Sequence, residues 1–372
     1  MTGLYIHIPF CRARCHFCAF YLEMHRADKA HRYLEALVRE IRLHAERDTL
    51  AGRPLETVYF GGGTPTALDA DQLSHILSLV REGFGLKEDA EISLEAHPAG
   101  VTEAGLRRLI EAGFTRISFG AQSMDDRELL SVGRHGASDA VRSAVRLARR
   151  AGFTNINLDL IYGLPGQTRA SWQATLREAI ALGSAHLSCY ALTVEEHTRL
   201  DADIRRSEQP SPDPELQNWM EAEAARTLSS AGFERYEISN YSQPGRACRH
   251  NLLYWTGQDY LGLGPSAQSY LDGARFGTVE DLEAYIQALD AGRLPLVQSE
   301  SLTPVQRRRE ALVFGLRLIQ GVASDPADEP DAEWSRTVER LIEQGLLEER
   351  MGRLTLTEHG RRYADTVAVE LL

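Results

Sequence analysis

The sequence predicts an α/β protein: a partial (β/α)6 barrel followed by a smaller, mostly helical C-terminal domain. Three observations carry that expectation. Short β-branched and apolar runs alternate with helix-periodic stretches six times before residue 200. The alternation stops after Thr193, where Pro210, Pro212 and Pro214 mark a boundary. Beyond about Leu302 the pattern is helical. Strands separated by helices pair in parallel through right-handed crossovers, and six units are too few to close an eight-fold barrel. The expected division is therefore a barrel over residues 1–200, an extension over 201–301 and a C-terminal module over 302–372.

In chain order, residues 4–8 form a strand that Pro9 ends. Tyr33, Leu34, Leu37, Val38 and Ile41 place a helix over 27–46, and residues 52–54 turn the chain. A strand at 57–60 opens into Gly61, Gly62, Gly63 and Thr64, after which Asp71 can cap a helix carrying Leu73, Ile76, Leu77 and Val80. Strand 92–96 and helix 102–112, closed by Gly113, come next, then strand 116–120 and helix 138–150, closed by Gly152. Strand 156–161, a helix near 172–182 and strand 186–192 complete the barrel. The extension offers a helix at 216–231 and a strand near 236–238. Helices at 304–319 and 334–344, joined by an acidic segment 325–331, precede a hairpin at 345–357 and a last helix. That order is the outline of a winged helix.

The length and the 43% of apolar residues suffice for a packed core. The net charge of −12 and a pI near 5.5 argue against broad electrostatic binding of nucleic acid or anionic lipid. Acidic residues also outnumber basic ones in the C-terminal module, the reverse of what a DNA-reading wing needs. No leader and no run of membrane-spanning length is read, so the expected location is the cytoplasm, where clustered thiols mean metal before disulfide.

Three of the five cysteines, Cys11, Cys15 and Cys18, fall within eight residues just past the first strand. Strand-end loops are where α/β proteins place their chemistry. Three thiolates suit an iron–sulfur cubane with one iron left open to an outside ligand, or a zinc site completed by His7 or His16. The glycine run lets a ligand approach the backbone and offers N–H groups that no side chain shields. Later strand ends collect Glu95, Gln122, Arg134, His135 and Asp159, and a carboxylate among apolar strand residues needs a partner, for Asp159 a ligand hydroxyl or Arg134. Residues 250–255 join a histidine, the usual axial ligand of heme iron, to Tyr254 and Trp255, which can pack on a macrocycle. Cys248 and Cys189 are most simply buried thiols.

The Cys-x-x-x-Cys-x-x-Cys spacing, together with the runs at 5–11, 60–65, 118–123, 159–168, 236–241 and 262–265, resembles the radical S-adenosylmethionine (SAM) family. Within it the sequence is similar to the branch of the oxygen-independent coproporphyrinogen III oxidases (HemN) and, more closely, to its heme-chaperone members. The resemblance implies a 4Fe-4S cluster on Cys11, Cys15 and Cys18, with SAM on the free iron. It implies SAM contacts from Tyr5, Gly62, Gly63, Thr64 and Glu95, while Phe17, Gln122, Arg134 and Asp159 match residues that contact a second SAM in the oxidase. It implies heme bound by the His-Asn-x-x-Tyr-Trp motif, with His250 on the iron beside Tyr254 and Trp255. The partners it implies are heme and a heme-accepting protein, such as one of the respiratory chain, and no nucleic acid. The alternative is oxidative decarboxylation of coproporphyrinogen III. Two departures weigh against that reaction: Phe20 stands where the oxidase motif has a further cysteine, and the oxidase's long segment ahead of the motif has no counterpart before Tyr5.

Overall fold

The computed structural model describes residues 1–134, 137–323 and 332–372; His135 and the acidic segment 325–331 lie outside the described residues. Six strands run parallel and lie side by side in chain order: β1 (Thr2–Ile8), β2 (Leu55–Gly62), β3 (Leu86–Ala96), β4 (Arg116–Gln122), β5 (Asn155–Tyr162) and β6 (His186–Ala191). Their register sets Leu4 beside Val58, Val58 beside Ile92, Leu94 beside Ile117 and Leu158 beside Leu187. These apolar residues alternate with a second set, and the alternation decides the layers. Leu4, Ile6, Ile8, Val58, Phe60, Leu94, Ile117 and Leu158 are buried in the core shared with the helices. Tyr5, Tyr59, Ser93, Glu95, Ser118, Asn157, Asp159, His186 and Ser188 share the other face, which lines the cup.

The outer layer is α1 (Ala27–Glu46), α2 (Ala70–Phe84), α3 (Glu103–Ala112), α4 (Ala137–Ala151) and α5 (Arg169–Ala181). Helix α2 begins two residues earlier than expected. Asp69 accepts from the Gln72 N–H while Gln72 accepts from the Asp69 N–H, a reciprocal box that leaves Asp71 in the first turn, paired with Arg108. Thr102 caps α3, which ends on Gly113 in the left-handed conformation.

The extension departs from its expected form. Helix α6 (Pro214–Ser230) leads to β7 (Glu234–Arg235) and β8 (Asn240–Ser242), antiparallel to each other, with β8 antiparallel to β6. The strand expected at 236–238 is the turn between them, because the Glu237 carboxylate accepts from the Ser239 N–H and the Asn240 amide and folds the chain back. The short helix α7 (Arg249–Trp255) follows, and β9 (Asp259–Leu263) then adds a seventh parallel strand beside β1. Strands β10 (Gln268–Leu271) and β11 (Ala274–Thr278), helix α8 (Leu282–Asp290) and edge strand β12 (Leu296–Ser301) complete the sheet.

The C-terminal module contains α9 (Pro304–Gly315), β13 (Val322–Ala323), α10 (Ala332–Glu343) and the hairpin β14 (Leu347–Arg350) and β15 (Arg353–Leu356), with two short helices last. Helix α9 stops before residue 319 because Leu318 bridges to Glu237 and Gly315 packs against Val322. The three strands form one sheet over a separate core of Leu341, Leu347, Leu354, Leu356, Val367 and Leu371.

Candidate functional site

Pro9 ends β1, and the chain is pinned again at once. Glu23 donates to the Pro9 carbonyl at 2.7 Å and His25 to the Cys11 carbonyl at 2.9 Å, so residues 12–22 leave and re-enter the fold at one point. The His16 N–H donates to the Val132 carbonyl at 3.0 Å, and the Leu200 N–H to the His16 carbonyl at 2.8 Å. The cysteine loop thus crosses the mouth of the cup from β1 towards the β4–β6 side. Cys11 Sγ is 3.3 Å from Thr64 Oγ1, and Arg134 Nη1 donates to Cys15 Sγ at 3.8 Å. Burial pushes the Cys11 and Cys18 thiols up, and the positive charge of a metal centre would act the other way.

Three thiol donors suit a cubane with one iron left open to an outside ligand. Among the described residues no three His, Cys, Asp or Glu side chains converge on one metal-sized point. His7, one residue that would complete a zinc site, meets the Tyr5 hydroxyl at 3.1 Å and the Tyr21 carbonyl at 3.4 Å, and burial lowers its pKa to about 4. The other, His16, has its ring against Gly133.

Two N–H groups of the glycine run are turned into the fold. The Gly63 N–H donates to the Ile8 carbonyl and the Thr64 N–H to the Phe10 carbonyl, so neither is left for a ligand. A Cβ on Gly63 would come within 2.8 Å of the Phe10 carbonyl, and one on Gly62, whose φ is +109°, within 2.8 Å of the His7 ring. The glycines let β2 close against the root of the cysteine loop. Beside them, the Tyr59 hydroxyl donates to Glu95 at 2.8 Å. Burial and the nearby Asp159 charge raise Glu95 to about 7, against the pull of its Tyr59 and Gly62 donors.

On the opposite side of the cup, Arg134 also donates to the Gly120 carbonyl at 2.6 Å, and the Gln122 amide lies beside Gly120. Arg134 is not the partner of Asp159. That carboxylate accepts from Ser118 at 2.9 Å and Asn157 at 2.8 Å, the neighbours on its own inward face. Phe17 packs with Val132, Leu164, Leu192 and Leu200, which anchors the loop by apolar contact. Phe20 is 70% exposed, outside the sulfur group.

His250, Tyr254 and Trp255 lie on α7, at the barrel base. His250 is 1% exposed, and both ring nitrogens are engaged, Nδ1 with Thr57 Oγ1 at 2.7 Å and Nε2 with the Tyr254 hydroxyl at 2.9 Å. Its ring stacks on Tyr59 with centroids 5.1 Å apart. Burial and the charge of Arg116 lower its pKa to about 3, so it is neutral, the form that can ligate a metal. Sequence reasoning missed the groups that set this helix in place. Glu91 accepts the Arg249 and His250 N–H groups and the Cys248 thiol. Glu91, like Thr57, Tyr59 and Arg116, lies on the inward face of its strand, and the period-two alternation was the signal that could have found it.

An open parallel cup with a three-cysteine loop across its mouth defines a radical SAM protein. The radical SAM superfamily model matches residues 5–179, and the HemN C-terminal domain model matches residues 302–363. The chain is 37% identical to the heme chaperone HemW of Mycobacterium tuberculosis over 100% of its own length and 94% of that protein. It is 38% identical to HemW of Synechocystis sp. over 86% of this chain and 79% of that one. The solved structure of coproporphyrinogen III oxidase (HemN) from Escherichia coli superposes with a TM-score of 0.86 at 28% identity, covering 100% of this chain and 89% of the other. The chain belongs to the HemW family of HemN-like radical SAM proteins.

Proposed function

We propose that the chain is a heme chaperone that binds heme, carries a 4Fe-4S cluster with exchangeable SAM, and passes heme to an acceptor protein such as one of the respiratory chain. The observation that supports this reading is similarity to proteins named heme chaperone HemW across both the barrel and the C-terminal module. Cys11, Cys15 and Cys18 are assigned to the cluster, which supplies one-electron chemistry on SAM when both are bound. Tyr5, Gly62, Gly63, Thr64 and Glu95 are assigned to SAM on the β1–β3 side, as are Phe17, Gln122, Arg134 and Asp159 on the β4–β5 side, which match residues that contact a second SAM in the oxidase. Glu95, raised to about 7, changes charge near neutral pH and can meet a donor in either state. Arg134 lends positive charge to the Cys15 sulfur.

His250 is assigned to heme iron, with Tyr254 and Trp255 against the macrocycle. Ligation through Nε2 would require that nitrogen to give up its hydrogen bond with the Tyr254 hydroxyl. The proposed units are residues 1–200, 201–301 and 302–372, and the proposed location is the cytoplasm. The second reading, coproporphyrinogen decarboxylation, draws on the likeness to the oxidase structure. Anaerobic reconstitution followed by parallel assays separates the two. The chaperone reading expects hemin binding and no coproporphyrinogen turnover; turnover at an enzymatic rate would replace it with the oxidase reading.

A further inference from the structure

A chain of hydrogen bonds crosses the inner wall of the cup on β4, β5 and β6, where the register sets Ser118 beside Asn157 and Asn157 beside His186. Its polarity follows from one end. The Asp159 carboxylate can only accept, so the Asn157 group 2.8 Å from it is the amide N–H₂, which also donates to Ser118 Oγ at 2.7 Å. Asn157 Oδ1 then faces His186 Nδ1 at 2.6 Å and accepts from Ser188 Oγ at 3.3 Å. His186 Nδ1 therefore carries the proton, and Nε2 accepts from the Tyr236 hydroxyl at 2.8 Å. The Tyr236 oxygen accepts in turn from the N–H of Cys248, the N-cap of α7, at 3.4 Å. Burial and the charge of Arg116 hold His186 well below its usual pKa, so the imidazole is neutral and keeps this tautomer.

Ser118, Asn157, His186 and Ser188 are each at most 2% exposed, whereas Asp159 is half-buried. Ser118 and Asn157 deliver one donor to each Asp159 oxygen, which leaves a second lone pair on each for a ligand in the cup. All four hydrogen-bonding positions of Asn157 are taken, so its amide cannot turn without breaking the bond to His186. Resting on the assignment of Asp159 to SAM, we propose that His186 is its positioning residue. The Nδ1–H fixes the Asn157 amide, and the amide fixes Asp159 as a two-oxygen acceptor for a pair of donors on the ligand, such as the ribose hydroxyls.

The test reads the tautomer and the affinity separately. Heteronuclear NMR of histidine-labelled wild type should show His186 protonated on Nδ1 alone; protonation on Nε2 overturns the proposal without any variant having to fold. SAM binding to the anaerobically reconstituted full chain is then measured by calorimetry. His186→Leu should weaken SAM about tenfold, the worth of one charge-assisted hydrogen bond, while His186→Asn, whose amide N–H replaces Nδ1–H, should bind within about twofold of wild type. Added to Asp159→Asn, His186→Leu should cost nothing further, because its effect runs through that carboxylate. Wild-type affinity in His186→Leu, equal losses in His186→Leu and His186→Asn, or additive losses in the double variant each overturn the proposal and spare the SAM assignment. Asp159→Asn that binds SAM as wild type does, or cluster-loaded wild type that binds none, overturns the assignment of Asp159 and the proposal together.

Discussion

His250 holds two hydrogen bonds at once, and this dual engagement makes its substitution a structural event as well as a chemical one. Removing the ring leaves Thr57 Oγ1 and the Tyr254 hydroxyl without their partner and opens a void against Tyr59. His250→Ala should therefore lower stability by about 2–4 kcal/mol even without ligand, read by denaturant unfolding. The same variant should lose hemin binding, read as loss of the Soret shift, if the iron assignment holds; hemin binding at wild-type affinity removes His250 from the site. Asp159 gives a second test at this scale. Its carboxylate is held by Ser118 and Asn157, so Asp159→Asn puts an amide N–H₂ towards one of those donors and should cost about 1–3 kcal/mol. Absence of any change in the unfolding midpoint would contradict those contacts.

The cysteine loop and the end of β2 act as one element. Gly63 lies against the Pro9 and Phe10 carbonyls, where a side chain has no room. Gly63→Ala should displace the root of the loop and reduce iron incorporation on anaerobic reconstitution, while far-UV circular dichroism stays that of the wild type. Cluster yield equal to wild type would show that the loop does not depend on this contact. The spacing of the three cysteines already pointed to a metal loop, because thiols so close in a chain of this composition have little other use. The sequence could not show that the Gly63 and Thr64 N–H groups are turned to the Ile8 and Phe10 carbonyls, because that depends on how closely two strands distant in sequence approach. Likewise the sequence pointed to Asp71 as the cap, and the reciprocal pairing of Gln72 with Asp69 placed the cap at Asp69 instead.

Across the whole molecule, Glu40 ties the extension to the barrel. From the middle of α1 its carboxylate accepts from the Gly264 N–H after β9 and from the Tyr285 hydroxyl on α8, and burial raises it to about 7. A carboxyl raised in the native state retains its proton there after the unfolded chain has lost it, so it stabilises at low pH. That contribution is lost as pH climbs from the unfolded value near 4.3 to about 7. His7, His44 and His97, lowered to about 4, His250, lowered to about 3, and the buried His186, also lowered, act in the opposite sense, and their gain tails off as pH passes the unfolded value near 6.5. Glu40→Gln should therefore make the melting temperature fall less, or rise more, with pH between about pH 5 and 7 than it does in wild type, and a variant-minus-wild-type difference that stays constant with pH would mean that Glu40 ionises normally.

By itself the sequence determined the six β/α units, the loop of Cys11, Cys15 and Cys18, and the helix–hairpin outline of the tail, because each follows from periodicity or spacing between residues close in the chain. Tertiary structure alone decided that β9 joins β1, that Asp159 pairs with Ser118 and Asn157 rather than Arg134, and that His250 lies inside the base with both nitrogens engaged. Those outcomes depend on contacts between segments far apart in sequence, and no local pattern encodes which distant partner a buried polar group will meet.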